Sequence, residues 1–460
     1  MSMPDFINKL IADFGTDTIL TGKSISDRAS SFWDATPISA KALIKPISVE
    51  QLSIILKRCN EAGQKIVTHG GRTGCAEGAN TASDHVIIST ERLNKIEEID
   101  EIGCTITVQA GAILQSVQEK VADKGLYFPL DLGARGSCTI GGNAATNAGG
   151  INVIRYGMMR NQILGLEAVL ADGTIISSMN KMIKNNTGYD LKQLFIGSEG
   201  TLGIITRVVV KLEMAQTLCG TTLVGLNSFS NVIKFLMHMK KSMGSRLTAY
   251  EVMWGNYYRA LTLPSGHKSP MSRDHPYYVI TECSGSDSHH DAEKNTQTLE
   301  HAFTQNLIVD AIIAKSEKER QEIWNIREGF EAILENKPIF LYDISLPIKD
   351  MEPYIDEVQS QLKAIWPKAN CYILGHIGDG NLHLMVCPMH GDNSLYEQSN
   401  ELVYAPLKKY GGSISAEHGI GIAKKEWLSC SRTHAEITLM KALKNTLDPK
   451  NTLNPDVLFE

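Results

Sequence analysis

The chain has 460 residues, 43% of them apolar and 21% charged, with a formal net charge of -6. That length exceeds what one hydrophobic core serves, so two or three domains are expected. The mild acidity gives no reason to expect a nucleic-acid partner, and no apolar run reaches the length of a membrane span. The opening Met1-Ser2-Met3-Pro4-Asp5-Phe6 lacks a basic region followed by an apolar stretch. No secretory signal is therefore expected, and the expected location is the cytoplasm, free or peripheral to a membrane. The nine cysteines (Cys59, Cys75, Cys104, Cys138, Cys219, Cys283, Cys371, Cys387 and Cys430) are odd in number, widely spaced and without a C-x-x-C pair. They read as free buried thiols, not as a disulfide framework, a cysteine-rich zinc site or an iron–sulfur site.

In chain order, Phe6, Leu10, Ile11 and Phe14 open a helical pattern, and Val49–Asn60 repeats its apolar residues at helical spacing up to a capping Gly63. Strands are expected at 66–68, 86–88 and 102–108, then a helix over 112–124 stopped by Gly125. A hairpin is expected from 163–170 and 174–177 around Asp172-Gly173, and a strand over 203–212. Beyond about 216 helices are expected at 229–243, 286–306, 316–335 and 350–364, and strands at 277–282, 307–313 and 339–345. Residues 394–460 read as mostly helical. The expected division is 1–215, 216–415 and a C-terminal segment 416–460, in an α+β class.

Three glycine-rich runs punctuate the first part. His69-Gly70-Gly71-Arg72-Thr73-Gly74 follows a strand; Gly133 to Asn143 continues into Thr146-Asn147-Ala148-Gly149-Gly150; Gly197 to Ile205 is the third. Small residues let backbone approach an anion, and successive N–H groups can form a nest for phosphate oxygens. None matches the G-x-G-x-x-G fingerprint of a nicotinamide site. Any one alone reads as an ordinary turn, but three within one domain point to a dinucleotide.

A second pattern lies further on. His376-Ile377-Gly378-Asp379-Gly380-Asn381-Leu382-His383 places two imidazoles around a glycine turn, and Glu417-His418 sits among glycines. If the turn pairs two strands, the imidazoles face each other about 5 Å apart across the sheet. His376, His383 and Glu417 then form an N/N/O ligand set that leaves positions open for substrate, as in catalytic zinc sites. The bland alternative is a satisfied hairpin with two partly buried histidines. Zinc is favoured over manganese or iron, neither of which the ligand set excludes.

Together these runs resemble the FAD-binding domain of the vanillyl-alcohol oxidase / p-cresol methylhydroxylase (PCMH-type) fold. The resemblance runs from about residue 40 to Asn454-Pro455, and the two histidines with Glu417-His418 narrow it to the branch of D-2-hydroxyglutarate and D-lactate dehydrogenases. Trp324-Asn325-Ile326-Arg327-Glu328 and Tyr342-Asp343-Ile344-Ser345-Leu346-Pro347 resemble its substrate-domain motifs. The fold implied is a two-subdomain FAD-binding domain, an α+β substrate (cap) domain and a mostly helical C-terminal segment that completes the flavin and metal site. The resemblance implies that Gly70, Gly71, Arg72, Thr73, Gly74 and Cys75 hold the pyrophosphate. Pro129, Gly133, Ser137, Ile140, Gly141, Gly142, Asn143, Thr146, Asn147, Ala148, Gly149 and Gly150 would line pyrophosphate and isoalloxazine. Glu199, Gly200, Gly203, Ile204 and Ile205 would follow the adenosine half, with Asn454 near the flavin ring. Some relatives attach FAD through a histidine where this chain has Arg72, so non-covalent FAD is expected.

The implied chemistry is oxidation of a D-2-hydroxy acid to the 2-oxo acid. The metal would lower the hydroxyl pKa, His418 would take its proton, and hydride would pass to the flavin. Arg327 alone reads as a helix-surface partner of Glu331; the resemblance implies a substrate-carboxylate clamp. The chain departs from the family at Leu341 (a lysine there), Glu331 (a threonine) and Met385 (an asparagine). A substrate side chain that is small or apolar is therefore expected, with 2-hydroxyglutarate as the alternative. An oxygen-using oxidase, a metal-dependent hydrolase or lyase, and a non-catalytic flavoprotein are the competing classes. Electrons would leave to an external quinone, cytochrome or electron-transfer flavoprotein, and a homodimer is compatible with all of this.

Overall fold

The computed structural model describes residues 3–31, 34–263 and 267–459, and its chain divides into two compact units. The first comprises 1–150, 157–215 and 417–460; the second comprises 151–156 and 216–416.

The first unit contains two main sheets and a two-stranded ribbon, Leu126–Tyr127 with Glu213–Met214. Ile66–His69 and Ala42–Ile44 both run parallel to Val86–Ser89, and Ile19–Leu20 closes that sheet antiparallel to Ala42–Ile44. The helix Val49–Glu61 covers it with Leu52, Ile55, Leu56 and Cys59. Ser48 caps that helix by accepting from Gln51 N–H at 3.1 Å, and Gly63 follows its end at φ 63°. The second sheet is antiparallel, in the order Ile96–Asp100, Thr105–Gln109, Ile204–Lys211, Ile163–Val169, Ile175–Ser178. The expected strand over 102–108 starts only at Thr105, because Asp100 Oδ1 accepts from the N–H groups of Ile102 and Gly103 and folds them into a turn. Helix Leu114–Ala122 and the short helix Ile140–Ala145 pack on this sheet.

The second unit is built on one antiparallel sheet of seven strands. Its order is Asp310–Ile313, Thr217–Leu226, Tyr277–Gly285, Leu247–Trp254, Asn370–Gly375, Asn381–Cys387, Phe340–Ser345. Helices Phe229–Met243, Gly255–Thr262, Ser288–Thr304, Glu317–Glu328, Met351–Ile365 and Tyr396–Tyr410 belong to this unit. The helix expected over 316–335 stops at Glu328, where Gly329 gives way to a 3-10 turn over Phe330–Ala332. The region 394–460 is less helical than expected: two long helices, Tyr396–Tyr410 and His434–Leu447, flank a glycine-punctuated path with one 3-10 stretch at Lys425–Cys430. No helix of the described residues is long and apolar enough to cross a membrane.

None of the eight described cysteines is in a disulfide, but they are not all buried: Cys75 is exposed, and Cys104 and Cys430 are half-buried. The thiol of Cys219 lies outside the described residues. Burial pushes the Cys59 and Cys371 thiols up to about 12, which keeps them protonated and inert.

Candidate active site

In the first unit the strand Ile66–His69 delivers the chain into the first glycine run. His69 is buried, and its Nε2 pairs with the Ala79 carbonyl at 2.8 Å. Burial holds its imidazole down to about 4, so the neutral ring donates and pins the loop. Arg72 adopts φ 54°, a left-handed conformation rare outside glycine, and its guanidinium donates to the Ala29 carbonyl. Thr73 continues the run and Cys75 is exposed after it.

The glycines divide into two kinds. A Cβ on Gly71 would collide with the Ser137 carbonyl, one on Gly141 with Ala110, and one on Gly150 with the Asp131 carbonyl. These three let protein backbone approach protein backbone. By contrast, a Cβ on Gly74 or Gly133 would meet nothing within 4 Å. The surroundings of those two glycines are open, and in the same runs Arg72 is left-handed and Ser137 exposed, an arrangement compatible with an anion such as a phosphate of FAD at these backbone N–H groups.

Other residues of the runs serve the scaffold. Ile140, Ile204 and Ile205 are buried in the two cores. Asn143 Nδ2 donates to Cys138 Sγ, Thr146 Oγ1 donates to the Gly142 carbonyl, and Asn147 Oδ1 accepts from Arg160 N–H. Pro129 is buried ahead of these anchors, and Gly142, Ala148 and Gly149 lie between them; Gly200 and Gly203 back onto Asn454 and Phe195. Glu199, expected along the adenosine half, accepts with its carboxylate from Ile420 and Gly421 N–H, both at 2.8 Å. Burial raises its carboxyl, and those two donors offset part of the rise. Asn454 is also committed: Oδ1 accepts from Thr68 N–H at 2.9 Å and Nδ2 donates to the Glu199 carbonyl at 2.8 Å. It therefore locks the first glycine run to the third. Glu417 and His418 belong to this unit, where Glu417 Oε1 accepts from Gly150 N–H at 2.7 Å.

In the second unit Asn370–Gly375 and Asn381–Cys387 pair around a turn in which the His376 carbonyl accepts from Asp379, Gly380 and Asn381. The register differs from the expected face-to-face arrangement. Leu374 is opposite His383, so His376 stands opposite Asn381 and diagonal to His383. The reason is the turn itself, whose bonds close on the His376 carbonyl and use four residues. Both imidazoles still share one face, with ring centroids 5.4 Å apart at 80°.

Around them lie groups that sequence reasoning did not identify. Glu251, on the central strand Leu247–Trp254 and only 1% exposed, accepts from His376 Nδ1 at 2.6 Å and from Arg327 Nε at 3.1 Å. Burial alone would raise its carboxyl; His376 and Arg327 pull it below the usual carboxylate range. Arg327 is therefore a buried partner of Glu251 and of His376 Nε2 (3.2 Å), not a surface partner of Glu331, which lies exposed beyond the helix end. Asp343, the cross-strand partner of His383, accepts from Asn381 Nδ2 at 2.8 Å and from Ala416 N–H at 3.1 Å. Asn381 Oδ1 is buried and has no hydrogen-bond partner among the described residues. One diagonal step on, Leu341 pairs with Met385; Met385 is buried in the apolar cluster and Leu341 is 46% exposed. Two imidazoles, an orphaned amide oxygen and adjacent buried carboxylates make a donor set that fits a divalent cation.

Comparison with known proteins agrees with this layout. Residues 40–178 match the family described as FAD binding domain, and 220–458 match that described as FAD linked oxidases, C-terminal domain. D-2-hydroxyglutarate dehydrogenase of Xanthomonas citri is 37% identical over 93% of this chain and 90% of its own. The mitochondrial D-2-hydroxyglutarate dehydrogenase of Bos taurus is 38% identical over 91% of this chain and 76% of its own. A Schizosaccharomyces pombe relative provisionally named mitochondrial D-lactate dehydrogenase is 36% identical over 90% of this chain and 80% of its own. Among solved structures, p-cresol methylhydroxylase with substrate bound aligns with TM-score 0.75 at 15% identity, covering 98% of this chain and 96% of its own. Fold, glycine runs and sequence similarity over nine-tenths of its length therefore make one statement: the chain belongs to the FAD-linked oxidases, in their D-2-hydroxy acid dehydrogenase branch.

Proposed function

We propose that this FAD-dependent dehydrogenase also requires a divalent metal and oxidises a D-2-hydroxy acid whose side chain is small or apolar. The observation that carries the metal is the pair of imidazoles on one sheet face, His376 buried and His383 half-buried. Arg327 can only donate, so His376 Nε2 accepts; a cation would take over the lone pair that the guanidinium engages here. His376 and His383 would hold the ion, with Glu417 as oxygen ligand. Glu417 is one peptide bond from Ala416, whose N–H is held by Asp343 beside His383, and that continuity supports the choice.

FAD, held without a covalent bond because Arg72 replaces a linking residue, supplies the hydride acceptor when bound. A zinc ion, with manganese or iron as substitutes, supplies Lewis acidity. The chain's own residues do the rest. His418 takes the hydroxyl proton, which imidazole suits near neutral pH. Arg327 presents its guanidinium fork to the substrate carboxylate, held by Glu251 on the opposite side. Leu341 and Met385, paired across two strands on the histidine face, offer no charge to a second carboxylate. Electrons leave to an external carrier.

A second reading, 2-hydroxyglutarate as substrate, is favoured by the names of the relatives at 37% and 38% identity. Steady-state assays with a dye acceptor decide between them. D-lactate and D-2-hydroxybutyrate should give the higher kcat/KM, about tenfold or more above the dicarboxylate, since an unpartnered buried charge costs over 1.4 kcal/mol. Chelator treatment should abolish turnover and added zinc should restore it. A dicarboxylate preference overturns the side-chain reading, and full activity after chelation overturns the metal.

A further inference from the structure

We propose that Glu251 is a positioning residue that fixes the tautomer of His376, keeping the proton on Nδ1 and the lone pair on Nε2. This rests on the metal reading above and deepens it. Glu251 is the one acidic residue in the strand Leu247–Trp254, every residue of which is buried. The sheet places it: Val252 is paired with Gly375, so the next step of the same register sets Glu251 opposite His376. The contact is short, 2.6 Å from Oε1 to Nδ1, as expected for a hydrogen bond to an ionised acceptor.

The other side of the ring gives the same answer independently. Arg327 Nη2 lies 3.2 Å from His376 Nε2, and a guanidinium has donors only. Nε2 must therefore accept, and the single proton of a neutral ring sits on Nδ1. Glu251 Oε2 takes the Arg327 Nε and Nη2 at 3.1 and 3.0 Å, so one carboxylate serves both groups. It also places a negative charge beside a guanidinium that would otherwise repel a bound cation. Carboxylates behind metal-binding imidazoles raise ligand basicity and fix ring orientation; their loss costs about 10- to 100-fold in metal affinity.

The test uses the FAD-loaded protein, stripped of metal and titrated with zinc against a chromophoric chelator. Glu251→Gln should bind zinc about 10- to 100-fold more weakly than the native chain. Glu251→Asp should recover part of the affinity. Asp291→Asn, which alters another buried carboxylate of the same unit, one paired with Arg246, should leave it within about twofold. Native-like zinc binding by Glu251→Gln overturns the proposal. Should that variant fail to fold, ¹⁵N-histidine NMR of the native metal-free protein decides: His376 protonated on Nδ1 supports it, and Nε2 overturns it. A native protein that takes up no zinc refutes the metal reading instead, and the same NMR result still judges Glu251.

Discussion

His69 shows how a single side chain couples the flavin loop to pH. In the unfolded chain its ring takes a proton below about 6.5; in the fold, burial delays protonation to about 4. Between those values the unfolded state binds more protons, so stability is full above about 6.5 and falls as pH drops toward 4. The loss approaches roughly 3 kcal/mol. Thermal unfolding followed from pH 7 to 4.5 should show a declining midpoint, and His69→Gln, which can still donate to Ala79, should flatten that slope. An unaltered slope would assign the pH dependence to another group. At this scale the sequence was informative where chemistry repeats in a short motif. The histidines and the glycine runs stand out by spacing, whereas Arg327 stands out only through the family resemblance. It was silent on which glycine clears a neighbouring backbone and which faces open space, because Gly71 and Gly74 read alike until Ser137 is packed against one of them. Glu251 could not be singled out either, since its partners come from Arg327 and His376, 76 and 125 residues away.

Strand Leu247–Trp254 escaped sequence reading for a physical reason. It is the middle strand of its sheet and buried along its whole length, so it lacks the alternation of a half-exposed strand. Helix Glu317–Glu328 was legible, because its apolar residues recur at helical spacing, although its end was not. What holds that helix is Glu282 on the adjacent strand Tyr277–Gly285, whose Oε1 accepts from Trp324 Nε1 and Arg320 Nε, both at 2.7 Å. Arg327 lies one turn beyond Trp324, so this anchor sets where the guanidinium stands. Trp324→Phe removes one donor from a buried carboxylate, at a cost of about 2 kcal/mol. Its expected signature is a raised KM for the hydroxy acid with flavin content unchanged. If KM stays native while only the melting temperature falls, the anchor stabilises the helix without positioning Arg327.

On the scale of the whole chain, the first unit depends on residues that arrive last. Ile66 N–H donates to the Thr452 carbonyl at 2.7 Å and Asn454 N–H to the Ile66 carbonyl at 2.8 Å, so residues 452–454 lie along the strand that feeds the first glycine run. Lys444 fastens this return. It is 6% exposed, and its Nζ donates to Asp448 at 2.5 Å, to the Thr201 carbonyl at 2.9 Å and to the Leu453 carbonyl at 2.7 Å. In sequence a Lys and an Asp four apart look like an ordinary surface helix pair, which is why nothing marked them. In the fold, burial pulls the Lys444 ammonium down while Asp448 opposes that pull. Asp448→Asn would leave the ammonium buried without its counter-charge and should cost about 3–5 kcal/mol, enough to yield flavin-poor protein. Removing both charges in Lys444→Met/Asp448→Asn should recover part of that loss, because no uncompensated ion remains. Flavin absorbance per chain and the melting temperature measure both effects. A double variant as damaged as Asp448→Asn alone would show that the hydrogen bonds of Lys444 to Thr201 and Leu453, not the ion pair, hold the last segment against the glycine runs.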